Sequence, residues 1–334
     1  MAENLLEIKD LKKYFPIKEG VLSRTVGYVK AVDGISFNIK KGEIVGLVGE
    51  SGCGKSTAGR TILNLLEPTA GVVKFEGETI FDVENKVKVK KAKMQKLRRD
   101  MQIIFQDPYA SLDPRMNVGM IVSEGIRKHK LVKSKREAME KAQDLLELCG
   151  LEGSNIQKYP HEFSGGQRQR IGIARALALE PKFIVADEPI AALDVSIQAQ
   201  VLRLMQDLKE RFGLTYLFVS HDLSVVQYFC TKVMVMYLGS FVETGPTKKI
   251  FKDPLHPYTK SLLSAVPKSD PRSKRKRIVL KGDVPSPANP PTGCKFHTRC
   301  EYAENICKEE QPILREMESD HFVSCHLVEK INKI

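Results

Sequence analysis

The sequence predicts an α/β fold, and three stretches predict it. The apolar run EIVGLVG (43–49) passes straight into GESGCGKST (49–57) and then into helical apolar spacing through Ile62 and Leu65. A second apolar run, KFIVADE (182–188), ends in two acids. Between Tyr28 and Ile39 the residues Ile35, Phe37 and Ile39 alternate with polar ones, which is strand periodicity, and Lys41-Gly42 turns the chain.

The chain has 334 residues, more than one average domain or one large domain with an appendage. Apolar residues make up 42% and charged residues 28%, ordinary globular values that indicate neither disorder nor a membrane protein. No apolar run approaches the roughly 18 to 20 residues that span a bilayer. The start, MAENLLEIKD, carries acids where a secretory signal has a basic and then an apolar region, so a cytosolic protein is expected. The net charge of +12 suits nucleic acid, phosphate ligands or an anionic membrane face. Much of it lies in KVKVKKAKMQKLRR (86–99) and PRSKRKR (271–277), read as a solvated helix face and a flexible linker.

The strand EIVGLVG, the G-x-x-x-x-G-K-S pattern and the following helix together make a phosphate loop. Gly49, Gly52 and Gly54 let the main chain curl so that its N–H groups point inward, with Ser51, Cys53 and Thr57 completing the loop. Lys55 reaches the β- and γ-phosphates of a nucleoside triphosphate, and the Ser56 hydroxyl is a ligand for Mg²⁺. On KFIVADE, Asp187 holds magnesium through water and Glu188 polarises the attacking water.

Between these blocks stands FSGGQRQRIGIARAL (163–177), and with the phosphate loop it makes the chain resemble the ATP-binding-cassette (ABC) ATPases over essentially its whole length. The resemblance implies a P-loop NTPase cassette over residues 1–255: a RecA-like core with an antiparallel β subdomain and a helical subdomain at about 107–178. Ser164, Gly165, Gly166 and Gln167 match the family's signature. Gln106 in IIFQDP resembles the residue that couples the γ-phosphate and magnesium to the membrane subunits. His221 in FVSHDLS is similar to the switch histidine at the γ-phosphate. Phe15 in LKKYFP looks like the aromatic that stacks on adenine, with Tyr14 as its alternative. Ser164 also reads as an N-cap, which turns its hydroxyl and a helix dipole toward whatever lies ahead. In the family that is the γ-phosphate of the opposite subunit, so head-to-tail pairing of two cassettes around ATP is implied. One position departs: the loop after Glu188 reads Ala191-Ala192-Leu193-Asp194 where the family has Ser-Ala-Leu-Asp, which removes a hydroxyl from the connection between the two sites.

The cassette also serves repair ATPases and translation factors. The stretch from Lys55 to Ser164 is far too short for a long coiled coil, and only one cassette is present, so transport is preferred and no nucleic acid is expected. The helical insert contains SKREAMEKAQDLLELCGL, where Ser134 and Glu137 form a capping-box pattern before an amphipathic helix.

The tail over 256–334 begins HPYTKSLLSAVP, crosses the basic linker and a proline-rich stretch, Val284 to Pro291, read as a stiff connector, and enters GCKFHTRCEYAENIC (293–307). It resembles the C-terminal extension of the dipeptide, oligopeptide and nickel import ATPases through Cys294, Phe296, Arg299-Cys300, Cys307 and Cys325-His326-Leu327; Glu301 replaces a proline common there. Four thiols on a short irregular segment suggest convergence on a metal, because few apolar residues are present to offset chain entropy. The spacing leaves zinc and an iron–sulfur cluster open. The resemblance implies a [4Fe–4S] cluster on Cys294, Cys300, Cys307 and Cys325, with Zn²⁺ as the alternative. It further implies two permease subunits, a sister ATP-binding subunit in a heterodimer (a homodimer in isolation), an extracytoplasmic binding protein, and a peripheral position on the cytoplasmic membrane face. The implied cargo is a di- or oligopeptide, with nickel or another small solute as the alternative.

Overall fold

The computed structural model describes residues 3–20, 23–266 and 277–334, so all of the basic run at 271–277 except Arg277 lies outside the described residues. The chain divides into two compact units, one of residues 1–40, 44–89 and 220–334, the other of residues 41–43 and 90–219.

The first unit holds an antiparallel sheet ordered Arg24–Lys40, Asn4–Glu19, Ala70–Phe75, Glu78–Asp82, Val87–Lys88. Leu6 pairs with Ile39 and with Phe75, and Ile8 with Phe37 and Val73, which stacks the apolar faces in register. Leu6, Ile8, Leu11, Ile35 and Ile39 are fully buried, as the sequence alternation predicts for the last two; Phe37 is half-buried and meets Phe241 edge-on at 5.5 Å. Phe75 and Glu78 are joined by Glu76 (φ 48°) and Gly77 (φ 75°), a two-residue turn with both φ positive that matches the strand twist.

The same unit contains the strand Ile44–Val48, buried at every residue, parallel to Lys232–Tyr237. Ser240–Pro246 returns antiparallel, and His321–Val323 and then Arg315–Glu318 extend the sheet. The tail is therefore not an appendage stapled by metal. It adds two strands to the sheet that carries Lys232–Tyr237, and its proline-rich stretch is tied by the Lys30 N–H donating to the Pro287 carbonyl at 3.0 Å.

The expected [4Fe–4S] cluster, and the zinc alternative, are overturned: among the described residues no group of three or more His, Cys, Asp or Glu could hold a metal ion. Cys294, Cys300, Cys307 and Cys325 are free thiols. Burial pushes the Cys294 thiol up to about 12 and the Cys325 thiol up to about 11, and raises that of Cys300 as well. The premise that the tail lacks apolar partners of its own also fails. Phe296 is 1% exposed, with its ring 5.3 Å from Tyr237, 5.4 Å from Tyr258 and 5.6 Å from His256. The fully buried Glu243 carboxylate accepts from the Leu255 and His256 N–H groups at 2.8 and 2.9 Å and lies 2.8 Å from His321 Nε2. An aromatic cluster shared with Tyr237 and a hydrogen-bonded buried carboxylate hold the segment in place.

The second unit has three parallel strands ordered Thr215–Val219, Phe183–Asp187, Met101–Ile104. The first two are buried throughout, the continuous apolar pattern of parallel strands covered on both faces. Its helices include Lys91–Asp100, Val118–Lys128, Lys135–Leu148, Gly165–Leu177 and Val195–Phe212. Lys91–Asp100 buries only Met94 and Leu97, so its part of the basic run is the solvated face expected. At Lys135–Leu148 the Ser134 hydroxyl accepts from the Glu137 N–H at 3.1 Å, but the Glu137 carboxylate accepts from Lys133 rather than from Ser134, so the box is displaced by one residue. Among the described residues no helix is long and apolar enough to cross a membrane.

Candidate functional site

In the first unit the buried strand Ile44–Val48 delivers the chain into the phosphate loop and the helix Lys55–Ile62. The loop needs its glycines for two reasons. Gly52 and Gly54 have φ of 79° and 107°. A Cβ on Gly49 would sit 2.2 Å from the Met236 carbonyl oxygen, and one on Gly54 1.9 Å from that of Ala31. The helix is opened by left-handed Gly54 with no side-chain cap and no acid in its first turn, so its positive end faces out of the helix uncompensated by side chains.

Lys55 is 5% exposed, and its ammonium donates to the carbonyls of Gly49 (2.8 Å) and Glu50 (3.1 Å). Cys53 lies beneath it, Sγ 3.9 Å from Nζ; burial pushes this thiol up despite the lysine's charge. Ser51 is exposed, Ser56 and Thr57 are half-buried, and the Thr57 carbonyl accepts from the Thr61 hydroxyl at 2.7 Å. On the antiparallel sheet Phe15 is half-buried with Lys13 Nζ 4.7 Å from its ring centroid, while the Tyr14 hydroxyl donates to Asp33. The Tyr14 hydroxyl is thus committed to a carboxylate. His221 is exposed, just before helix Leu223–Phe229, whose cap Asp222 accepts from the Ser224 N–H at 2.9 Å.

In the second unit Asp187 ends its strand fully buried. Glu188 follows with φ 48°, a left-handed conformation that a non-glycine residue adopts only where surrounding contacts hold it. Its N–H donates to the Val219 carbonyl at 3.0 Å, and its carboxylate accepts from Gln106 Nε2 at 3.1 Å, so two residues 82 positions apart meet. The Ala191–Asp194 loop is held by Gln198, whose Nε2 donates to the Ile190 and Leu193 carbonyls at 3.1 and 3.0 Å. Ala191 and Ala192 are exposed.

The signature serine forms a complete capping box: its hydroxyl accepts from the Gln167 N–H at 3.3 Å, and Gln167 Oε1 accepts from the Ser164 N–H at 2.9 Å. A Cβ on Gly166 would lie 2.4 Å from Ile197 Cγ2, so glycine permits close approach of the helix Val195–Phe212; at Gly165 the nearest atom is 3.7 Å away. Arg168 is buried with its guanidinium 3.7 Å from the centroid of Tyr109.

Several contacts escape sequence reading. Within the first unit the Glu50 carboxylate is gripped by Arg299, its N–H donates to the Tyr258 hydroxyl, and Lys295 pairs with Asp33 at 2.7 Å. An acid inside a loop built to bind an anion was the available signal, because it calls for a cation nearby.

Comparison with known proteins decides the family. The ABC transporter profile matches residues 32–191, and the profile for the oligopeptide/dipeptide transporter C-terminal region matches residues 242–307. The oligopeptide transport ATP-binding protein AppF of Bacillus subtilis (strain 168) is 55% identical over 327 residues, covering 97% of this chain and 98% of that protein. The chain belongs to the ABC transporter family. The oligopeptide transport ATP-binding protein OppF of the same organism is 55% identical over 283 residues, 85% of this chain and 89% of its own length. A solved ABC cassette, the MJ0796 dimer in a post-hydrolysis state bound to ADP and phosphate, superposes with a TM-score of 0.62 at 30% identity, covering 72% of this chain and 98% of that one. CbiO1 from Clostridium perfringens gives 0.62 at 28% identity, covering 75% and 92%. The chain has the ABC cassette fold, and the ABC profile spans the phosphate loop, Gln106, the signature and Glu188 together.

Proposed function

We propose that this chain is the ATP-hydrolysing subunit of an importer of di- or oligopeptides. The observation that carries the chemistry is Gln106 hydrogen-bonded to Glu188 at the end of the strand bearing buried Asp187. The relatives named as oligopeptide transport ATP-binding proteins and the matched C-terminal region support the cargo class.

In this reading residues 1–255 are the cassette, with the helical subdomain at about 107–178, and 256–334 the C-terminal region. The phosphate loop from Gly49 to Thr57 wraps the phosphates with main-chain N–H groups, and Lys55 exchanges its two carbonyl partners for phosphate oxygens. Phe15 stacks on the adenine. Glu188 orients and deprotonates the attacking water, Gln106 holds that carboxylate in place, and His221 contacts the γ-phosphate. Ser164, Gly165, Gly166 and Gln167 present a capped helix N-terminus to the triphosphate of a partner cassette.

Magnesium prefers hard oxygen donors, which the Ser56 hydroxyl, the Gln106 amide and the Asp187 carboxylate would each supply. The ion would neutralise phosphate charge.

The partners are two permease subunits in the membrane, a sister ATP-binding subunit, and a substrate-binding protein on the far side; the chain sits peripherally on the cytoplasmic face. Co-expression with peptide-importer permease subunits, purification and reconstitution into vesicles tests this. ATP-dependent accumulation of a labelled dipeptide is expected, and failure of the chain to co-purify with the permeases would overturn it.

A further inference from the structure

The C-terminal region reaches the phosphate loop itself, a contact that the proposed ATP reaction does not by itself require. Glu50 is the second residue of the loop, an acid beside the place a triphosphate must occupy. Arg299 meets it through two parallel bonds, Nη1 to Oε2 at 2.8 Å and Nη2 to Oε1 at 3.2 Å, with the arginine side chain 8% exposed. Tyr258, fully buried, accepts the Glu50 main-chain N–H at 2.9 Å. That N–H belongs to the same planar peptide unit as the Gly49 carbonyl, on which Lys55 rests at 2.8 Å. The tyrosine therefore fixes the orientation of the peptide that seats the phosphate-binding lysine.

Neither group is free to drift. Arg299 ends a single turn, His297–Arg299, whose preceding residue Phe296 is locked between Tyr237, Tyr258 and His256. On the other side of Phe296, Lys295 donates to Asp33 (2.7 Å), the Leu238 carbonyl (3.0 Å) and the Ser240 hydroxyl (2.7 Å). Gly239, in the same turn as Leu238, donates its N–H to the Cys53 carbonyl at 2.9 Å, a second hold on the loop.

We infer that Arg299 and Tyr258 are positioning residues for the triphosphate: the C-terminal region neutralises Glu50 and sets the shape of the phosphate loop, and so sets the affinity for nucleotide. The inference rests on the ATP reading above. It gives the tail a role in the cassette's own binding site.

The test uses the full-length protein and compares wild type with Arg299→Ala, Glu50→Gln, the double variant and Tyr258→Phe, reading Kd for MgATP by calorimetry, KM, kcat and Tm. Arg299→Ala leaves an unpaired carboxylate beside the phosphates, and Kd and KM rise about tenfold while kcat changes little. Removing that carboxylate as well restores much of the loss, so the double variant binds ATP more tightly than Arg299→Ala alone; a merely structural role gives no such rescue. Tyr258→Phe weakens binding by a few-fold. Wild-type Kd in Arg299→Ala, or a double variant no tighter than the single, overturns the inference. Should Arg299→Ala fail to fold, Arg299→Lys decides: an intermediate Kd supports the inference and an unchanged one overturns it. Lys55→Ala is the control for the underlying reading: wild-type ATP binding in that variant removes the ATP site itself, whatever Arg299 does.

Discussion

The phosphate loop and the cysteine-bearing tail are both short irregular segments of one compact unit, and they reach order by opposite routes. The loop's curl comes first from its own residues, and distant ones then hold it: glycines with positive φ or no room for a Cβ, a lysine tied to carbonyls five and six positions back, a helix that starts where the glycines end. The tail is shaped by residues far away in sequence, Phe296 resting on Tyr237 and Tyr258, His321 on Glu243, Arg299 on Glu50. Local spacing identifies the first kind of segment. It misleads about the second, where four cysteines at suggestive intervals are free and, among the described residues, belong to no group that could hold a metal ion.

The largest effect that would sharpen this contrast is expected at Gly54. Replacing Gly54 by Ala puts a methyl 1.9 Å from the Ala31 carbonyl oxygen at φ 107°, and ATP binding measured by calorimetry should be lost together with several kcal/mol of stability, roughly 3 or more. In the tail, Phe296→Ala removes a ring that is 1% exposed, and denaturant unfolding should show a loss of about 3 to 5 kcal/mol.

A smaller, pH-dependent effect is expected at His256. Burial holds its imidazole down to about 4, against an ordinary value of 6.5, while Glu243 pulls the other way. Below pH 6.5 the unfolded chain takes up a proton that the folded chain refuses, so this contribution is complete above pH 6.5 and is lost as pH falls toward 4, by about 3 kcal/mol at most. His256→Asn keeps an acceptor for the Tyr258 N–H but cannot titrate, and its Tm should fall less steeply over that window. The smallest effect is expected for Cys300→Ser, within about 1 kcal/mol of wild type by the same unfolding measurement. A loss there as large as that of Phe296→Ala would break the contrast and return the cysteines to the centre of the tail's stability.

The α/β class, the phosphate loop, the acid pair after its buried strand and the Ser164 N-cap were legible in the sequence, because each is a local pattern with a local cause. The family resemblance singled out Gln106 and the strand end singled out Glu188, but nothing in the sequence announced that the two meet, 82 positions apart. The pairing of Arg299 with Glu50, 249 positions apart, had no pattern to announce it. The metal expectation failed because it overlooked the aromatic cluster that Phe296 forms with Tyr237 and with the tail's own His256 and Tyr258. The Glu137 box is displaced by one residue because its carboxylate accepts from the Lys133 N–H, at 2.8 Å.

Glu188→Gln is the most direct test. It keeps the side chain's shape and its place beside Gln106 while removing the base, so ATP hydrolysis should fall by about a thousandfold. ATP should still bind and should now hold two cassettes together as a stable dimer on gel filtration, either two copies or this chain with its sister subunit. Turnover at the wild-type rate, or ATP that binds without bringing two cassettes together, would contradict the assignment of Glu188 and the paired site.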